Sequence, residues 1–383
     1  MKLSYETEQE IISLRRKLHQ IPELGFKEHA TSKLIVEYLQ SNGIEVTSGV
    51  AGTGVVGLIR GGSDGKTLLL RADIDALPIE EAVRSEFKSK NPGVMHACGH
   101  DIHAAILLGT AKILSEIRGS FAGNIKLVFQ PAEESDGGAE PMIAGGVMEN
   151  PAIDGAVAYH VAPLPVGQIE VQPGAVTAAP DYFIIHIRGK GGHGSAPEDC
   201  VNPVIIAALV TKRLSEIKTE TPSVVSVCSI VGGTCENVIP DSALIKGTVR
   251  SVDEETRQYL YNTVKNITEE ESEKAGGKAD IQYNFRYPAV INDEDFAKAF
   301  AASAAKVIGQ ENVVRVEKRS MVGDDFSYFS QLVPSCYARL GIGIGNMLHS
   351  SNFNPDERGI AIGIRVLCKF VLDYLNTTNA IGK

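Results

Sequence analysis

The chain has 383 residues, 43% of them apolar and 22% charged, with a formal net charge of −10 at pH 7. That length allows two domains with separate cores, and the composition is that of an ordinary globular protein. The acidic balance disfavours nucleic acid and anionic membrane as partners, and no apolar run reaches the ~20 residues of a membrane span. Met1-Lys2-Leu3-Ser4-Tyr5-Glu6 lacks a basic stretch leading into an apolar one, so no secretory signal is read there. Six cysteines (Cys98, Cys200, Cys228, Cys235, Cys336 and Cys368) follow no repeating spacing. They are expected to be reduced thiols in a cytoplasmic protein.

Ile11, Leu14, Leu18 and Ile21 recur at helical spacing, and a second helix over 34–39 is stopped by Asn42-Gly43. Strands are predicted over 54–59 and 67–72, then a helix carrying Ile106, Leu107, Thr110, Ile113, Leu114 and Ile117. Residues 125–129 read as a buried strand, 141–148 as a helix and 155–161 as a further strand. This alternation implies a central mixed sheet with helices on both faces. From about Asp181 the pattern changes. Strand 182–190, helix 203–217, strands 224–231 and 244–252, helix 254–274 and strand 281–287 give the ferredoxin-like order β-α-β-β-α-β. Helix 293–308, strand 335–340 and a closing helix near 360–375 then resume the first pattern. The expected fold class is α/β, with residues 1–180 and 289–383 as a catalytic metal-binding domain. Residues 181–288 form an inserted ferredoxin-like α+β domain. Neither short repeats nor low-complexity segments are detected.

The chemistry concentrates in His96-Ala97-Cys98-Gly99-His100-Asp101, Gln130-Pro131-Ala132-Glu133-Glu134 and Tyr159-His160. Thiolate, neutral imidazole and carboxylate are the donors that divalent transition metals take. Cys98 and His100 are two apart, so an extended loop would aim both at one cluster. Glu133 and Glu134 follow an apolar strand and point differently, which suits one ligand and one proton-moving base. In open α/β sheets ligands gather beyond the carboxyl ends of strands, where Gln130–Glu134 and His160 fall. His349 lies in a Gly-rich loop after the strand at 335–340, and a two-metal site needs more ligands than the earlier segments supply. His103, near the start of a helix, reads equally as an outer contact or a solvent residue and is left out. These residues point to a two-metal hydrolase.

Further pieces stand in order along nearly the whole chain. They are Arg16-Lys17-Leu18-His19 with Pro22-Glu23-Leu24, and Arg71-Ala72-Asp73-Ile74-Asp75-Ala76-Leu77-Pro78. Residues 189–196 (with Gly191-Gly192-His193-Gly194-Ser195-Ala196), Asn237-Val238-Ile239-Pro240-Asp241, residues 247–250 ending in Arg250, Asp325-Phe326 and Leu348-His349 follow. With these motifs the chain resembles the hippurate hydrolase and N-acyl-L-amino-acid amidohydrolase branch of the aminoacylase–glutamate carboxypeptidase dinuclear metallopeptidase family. The resemblance implies a zinc-exopeptidase-like catalytic domain and an inserted domain acting as lid and dimerisation element. It further implies that Cys98 bridges two metals, with His100 and His160 completing one ligand set and Glu134 and His349 the other. Glu133 is then the general base, and Asp75 orients a ligand imidazole. His193 helps hold the oxyanion, while Asn237 and Arg250 contact substrate, Arg250 facing the free α-carboxylate. Two departures stand out: Asp324 where many relatives have Glu, and Ser351-Asn352-Phe353-Asn354-Pro355 after His349, where relatives show a proline earlier. Neither removes a ligand.

The implied reaction is metal-dependent hydrolysis of an N-acyl-L-amino acid to a carboxylic acid and a free amino acid. The implied cofactors are two divalent ions per subunit, Zn2+ or Mn2+, with Co2+ or Ni2+ as substitutes. The implied partner is a small-molecule substrate, with no nucleic acid and no membrane; the oligomeric state is left open, the edge strand of the inserted domain allowing a homodimer across a two-fold axis. Three alternatives stand beside this one. A dinuclear dipeptidase or carboxypeptidase shares the ligands. Cysteine-nucleophile hydrolysis through Cys98 with His100 or His160 survives chelators. A catalytically silent metal-binding module holds metal without turnover.

Overall fold

The protein is described by a computed structural model covering residues 3–315 and 320–376. Helix α1 (Tyr5–Gln20) starts at Ser4, whose hydroxyl accepts from the Thr7 amide, and buries Ile11, Leu14 and Leu18. Helix α2 (His29–Ser41) ends before Asn42 and Gly43, the latter at φ +66°. Strands β1 (Glu45–Val50) and β2 (Gly54–Arg60) form an antiparallel hairpin. Then come β3 (Ser63–Asp73), α3 (His100–Glu116), β4 (Ala122–Gln130), α4 (Ala139–Ala144), β5 (Gly155–Ala162) and β6 (Ile169–Glu170). The inserted part contributes β7 (Ala179–Arg188), α5 (Pro203–Ser215), β8 (Ser223–Gly232), β9 (Ser242–Ser251), α6 (Glu254–Lys274) and β10 (Lys278–Asn284). The chain closes with α7 (Glu294–Ile308), β11 (Val313–Val314), β12 (Ser335–Gly341) and α8 (Arg358–Asn376).

Two compact units result. The first runs to Gly174 and resumes at Ile291; the second spans Ala175–Val290 and takes in a short return at 320–327. In the first, eight strands lie in the order β1-β2-β4-β3-β5-β12-β6-β11. The centre is parallel: β3 pairs in parallel with both β4 and β5, and β5 with β12. Seven successive residues of β3, Thr67 to Asp73, are buried, which requires cover on both faces of the sheet. Ile102, Ile106 and Leu114 of α3, with Ile360, Ile364 and Phe370 of α8, join the core of this unit. The four central strands run the same way, so Asp73, Gln130, Ala162 and Gly341 end them on one edge. That edge supplies the site.

In the second unit the order is β8-β9-β7-β10, every pairing antiparallel, which is the ferredoxin-like arrangement. Phe183, Ile185 and Ile187 of β7 face Ile206, Val210 and Leu214 of α5 and Leu260 and Val264 of α6 in one core. Strand β8 stands at the sheet edge, with Ile230 and Val231 exposed.

Helix α4 is shorter than the 141–148 expected. Gly145 and Gly146 follow Ala144, and Gly146 takes φ +85°, a left-handed position that ends a helix. Among the described residues no helix is long and apolar enough to cross a membrane.

Candidate metal centre

Cys98 is not in an extended loop. Gly99 takes φ +82° and ψ +19°, reversing the chain so that His100 becomes the first residue of α3. Leu77 and Met95 hold the approach to this turn by paired backbone hydrogen bonds, and the Ala97 carbonyl accepts the His349 amide at 2.9 Å. Both His349 and Cys98 are thereby fixed to one stretch of backbone. His349 itself has φ +57°.

The side chains fall into two groups with one shared member. Ligand-type atoms of Cys98, His100 and His160 lie within 4.8 Å of one another, and so do those of Cys98, Glu134 and His349. Cys98 Sγ is 3.4 Å from His160 Nε2, and His349 Nε2 is 3.0 Å from Glu134 Oε1. Glu133 is buried and lies in a third such group with His100 and Glu134. It follows Ala132, whose left-handed φ of +56° is held by its amide donating to Glu28 Oε1 at 2.9 Å.

Hydrogen bonds determine which imidazole nitrogen is available. His100 Nδ1 is 3.0 Å from Asp75 Oδ1; a carboxylate only accepts, so Nδ1 carries a proton and Nε2 is the nitrogen left for a metal to take. His160 Nδ1 donates to the Val161 carbonyl at 2.7 Å, which leaves its Nε2 facing Cys98. The second oxygen of Asp75 accepts the Glu134 amide at 2.9 Å, so one carboxylate orients two candidate ligands. His103 uses both nitrogens elsewhere. Its Nδ1 meets Asp73 Oδ1 at 2.5 Å and its Nε2 accepts the Val161 amide at 2.9 Å. It steadies the strand end that carries His160.

The electrostatics call for a cation. Burial pushes the Cys98 thiol well above its ordinary pKa, and the Glu134 and Glu133 carboxylates push it further. Burial alone would lower His100, but Asp73 and Asp75 outweigh it and bring the group up to about 10. His160 is pushed down to about 3 by burial, with His103 and His100 beside it. Burial raises Glu134, yet the hydrogen bond to His349 and the charge of His100 hold it below the usual carboxylate range. His100 Nε2 is buried without a hydrogen-bond partner among the described residues, 3.8 Å from both Asp73 Oδ2 and Glu134 Oε1. A divalent cation would replace the protons on Cys98 and His100, and the mixed sulfur, nitrogen and oxygen donors suit one. The residues fit such an ion.

The remaining candidates belong to the inserted unit. His193 is exposed on a two-residue strand, Gly192–His193, paired with Val238–Ile239, so Asn237 adjoins its neighbour across the ladder. His193 Nδ1 accepts the Ser195 amide at 3.1 Å, and the Asn237 carbonyl accepts the Gly194 amide at 2.8 Å. Arg250 sits on β9, away from that ladder. Its guanidinium donates to the Thr248 hydroxyl and to the Val249 carbonyl, 5.4 Å from the Tyr182 ring centre.

Asp73, His103 and Glu28 are structural contributors that sequence reasoning did not assign. Asp73 lies in the quoted run Arg71–Pro78, and its spacing of two from Asp75 was the available signal. Glu28 had none.

Residues 69–373 match the profile of peptidase family M20/M25/M40. Thermostable carboxypeptidase 2 of Saccharolobus solfataricus is 40% identical over 387 residues, covering 97% of each chain. The N-acyl-L-amino acid amidohydrolase of Geobacillus stearothermophilus is 41% identical over 301 residues, 77% of this chain and 81% of that one. The crystal structure of the Bacillus subtilis YXEP protein, a dinuclear metal binding peptidase, superposes with a TM-score of 0.87 at 32% identity. It covers 98% of this chain and 100% of its own.

Proposed function

Because the chain belongs to peptidase family M20/M25/M40, and is a metal-dependent amidohydrolase of it, we propose that it cleaves N-acyl-L-amino acids to a carboxylic acid and a free amino acid. The observation that most supports this is the pair of three-residue groups sharing Cys98, with Glu133 alongside. In this reading Cys98, His100 and His160 hold one divalent ion and Cys98, Glu134 and His349 the other, Zn2+ or Mn2+, with Co2+ or Ni2+ as substitutes. Two such ions supply Lewis acidity, lowering the pKa of the attacking water and polarising the acyl carbonyl.

The side chains do the rest. Asp75 holds the His100 ring and the Glu134 backbone, so the ligand atoms are oriented before any ion arrives. Glu133 takes a proton from the attacking water and passes it to the leaving amine nitrogen. His193 donates to the oxyanion that forms on the acyl carbon. Arg250 receives the amino-acid carboxylate through its planar fork, with Asn237 as a second contact. The inserted unit serves as lid and as the contact with a second copy of the chain, a reading supported by the exposed edge strand β8. Six free cysteines support a cytoplasmic setting.

A second reading, carboxypeptidase or dipeptidase action, is favoured by the 40% identity to thermostable carboxypeptidase 2. The test is amino-acid release from N-acetyl, N-benzoyl and N-succinyl amino acids and from dipeptides, by zinc- or manganese-loaded protein with and without prior chelation. Release from the N-acyl panel that vanishes on chelation supports the proposal. Release from dipeptides alone favours the second reading, and release that resists chelation overturns both.

A further inference from the structure

The motif Arg16-Lys17-Leu18-His19 near the N-terminus has no part in the chemistry above, yet helix α1 buries its His19 together with Arg15 just before the motif. Arg15 and His19 are one turn apart and only 1% and 2% exposed, on the same side as Leu14 and Leu18. A helix rarely buries an arginine unless something holds it. Here the partner is Asp101, the residue after His100 in the first turn of α3. Its Oδ2 lies 2.8 Å from Arg15 Nε and 2.7 Å from His19 Nδ1, while its Oδ1 accepts the Ile102 amide at 3.0 Å. The clamp is anchored on its far side as well. His19 Nε2 is 3.4 Å from Glu81 Oε1, whose other oxygen accepts the Ser89 amide at 2.7 Å. Arg15 Nη1 reaches Glu357 Oε1 at 3.3 Å, in the segment between His349 and α8. Phe87 stacks over the Arg15 guanidinium, 5.1 Å from its ring centre.

We infer that Arg15 and His19 are positioning residues for the metal centre: by gripping Asp101 they fix the first turn of α3, and with it the geometry of Cys98 and His100. Buried ion pairs contribute little net stability because desolvation offsets their attraction. What two nitrogen groups converging on one carboxylate oxygen do supply is a single allowed orientation of the backbone that carries it. Gly99 makes that orientation necessary, since its left-handed φ of +82° leaves the turn without side-chain restraint between the two candidate ligands. The inference rests on the reading that Cys98 and His100 hold metal.

The test uses the full-length protein with Co2+, following the thiolate-to-cobalt absorption and the Co2+ dissociation constant by competition. The variants are His19→Leu, His19→Asn, Arg15→Met and, as a control, Leu39→Ala, which opens a cavity in the core on α2. Asparagine places an N–H where His19 Nδ1 stood. The inference expects Co2+ affinity to fall about 10- to 100-fold in His19→Leu and Arg15→Met with an altered thiolate band, the range seen for groups supporting ligands. His19→Asn should recover most of it, and Leu39→Ala should lower Tm while binding Co2+ normally. Wild-type affinity and spectrum in His19→Leu or Arg15→Met overturn the inference, as does equal weakening in Leu39→Ala at equal loss of Tm. A wild-type protein that gives no thiolate band overturns the metal-centre reading too, and is recognised because the parent already fails.

Discussion

Gly99→Ala is the substitution whose cost the structure defines best. The residue sits at φ +82°, where an L side chain costs about 1–2 kcal/mol. A Cβ built there comes within 2.6 Å of Val161 Cγ2 and 3.5 Å of Phe353 Cζ. Val161 is buried and follows His160 on β5, so it has no free space to turn into. Overpacking of this kind costs about 1–3 kcal/mol. The total, roughly 2–5 kcal/mol, corresponds to a fall in Tm of roughly 4–20 °C for a unit of this size. Calorimetry on the metal-free protein reads it directly. Val161→Ala in the same chain should remove the overlap but not the backbone penalty, giving a favourable coupling of about 1–3 kcal/mol in a double-mutant cycle. A Gly99→Ala protein that melts within about 1 °C of wild type, or a cycle with no coupling, would refute this reasoning.

Three further outcomes are expected. Asp75→Asn retains only one acceptor oxygen for the His100 Nδ1–H and the Glu134 amide, and should weaken metal binding about 10- to 100-fold; equilibrium dialysis showing unchanged affinity counts against it. Glu28→Gln leaves either the Ala132 amide or the Thr53 hydroxyl without its acceptor. It should cost about 1–3 kcal/mol of stability and lower kcat while metal content stays at the wild-type level, and an unaltered kcat contradicts that. Stability of the metal-free protein should peak near pH 6.5. Burial holds His96 and His160 at about 3, so below pH 6.5 the unfolded chain binds protons that the folded one does not, and each group removes about 1.4 kcal/mol per pH unit. Above pH 6.5 His100, raised to about 10, keeps a proton that the unfolded chain releases, so stability declines on that side too. A Tm that climbs between pH 6.5 and 4.5 would show the buried imidazoles to be wrongly described.

The inserted unit could be read from the sequence because its strands are half-buried and alternate. Along β7 the exposed residues Tyr182, His186 and Arg188 interrupt a buried row of Phe183, Ile185 and Ile187. Helix α6 was bounded by Asp253 as N-cap and by Ala275-Gly276 at its end, both visible in the sequence. Strand β1 was not foreseen, since Glu45, Thr47 and Ser48 are exposed on a sheet edge and show no apolar alternation. The ligand-type residues were legible as residue types after strands, because parallel strands must deliver their loops to one edge. Their partners were not. Arg15 and His19 adjoin the apolar stripe of α1 as residues that ordinarily face solvent, and only the approach of Asp101, 82 residues beyond His19, accounts for their burial. The role of His103 stayed open between an outer contact and a solvent residue for the same reason: Asp73 and Val161, which occupy its two nitrogens, are 30 and 58 residues away.

The most direct test of a two-metal centre with Glu133 as its base is metal content and turnover measured together, in wild type and in Glu133→Gln. The account predicts two divalent ions per chain in both proteins and loss of turnover in the variant by at least ~10²-fold, the lower range for general-base catalysis. A single ion per chain, or near-normal turnover by Glu133→Gln with its metal intact, would contradict it.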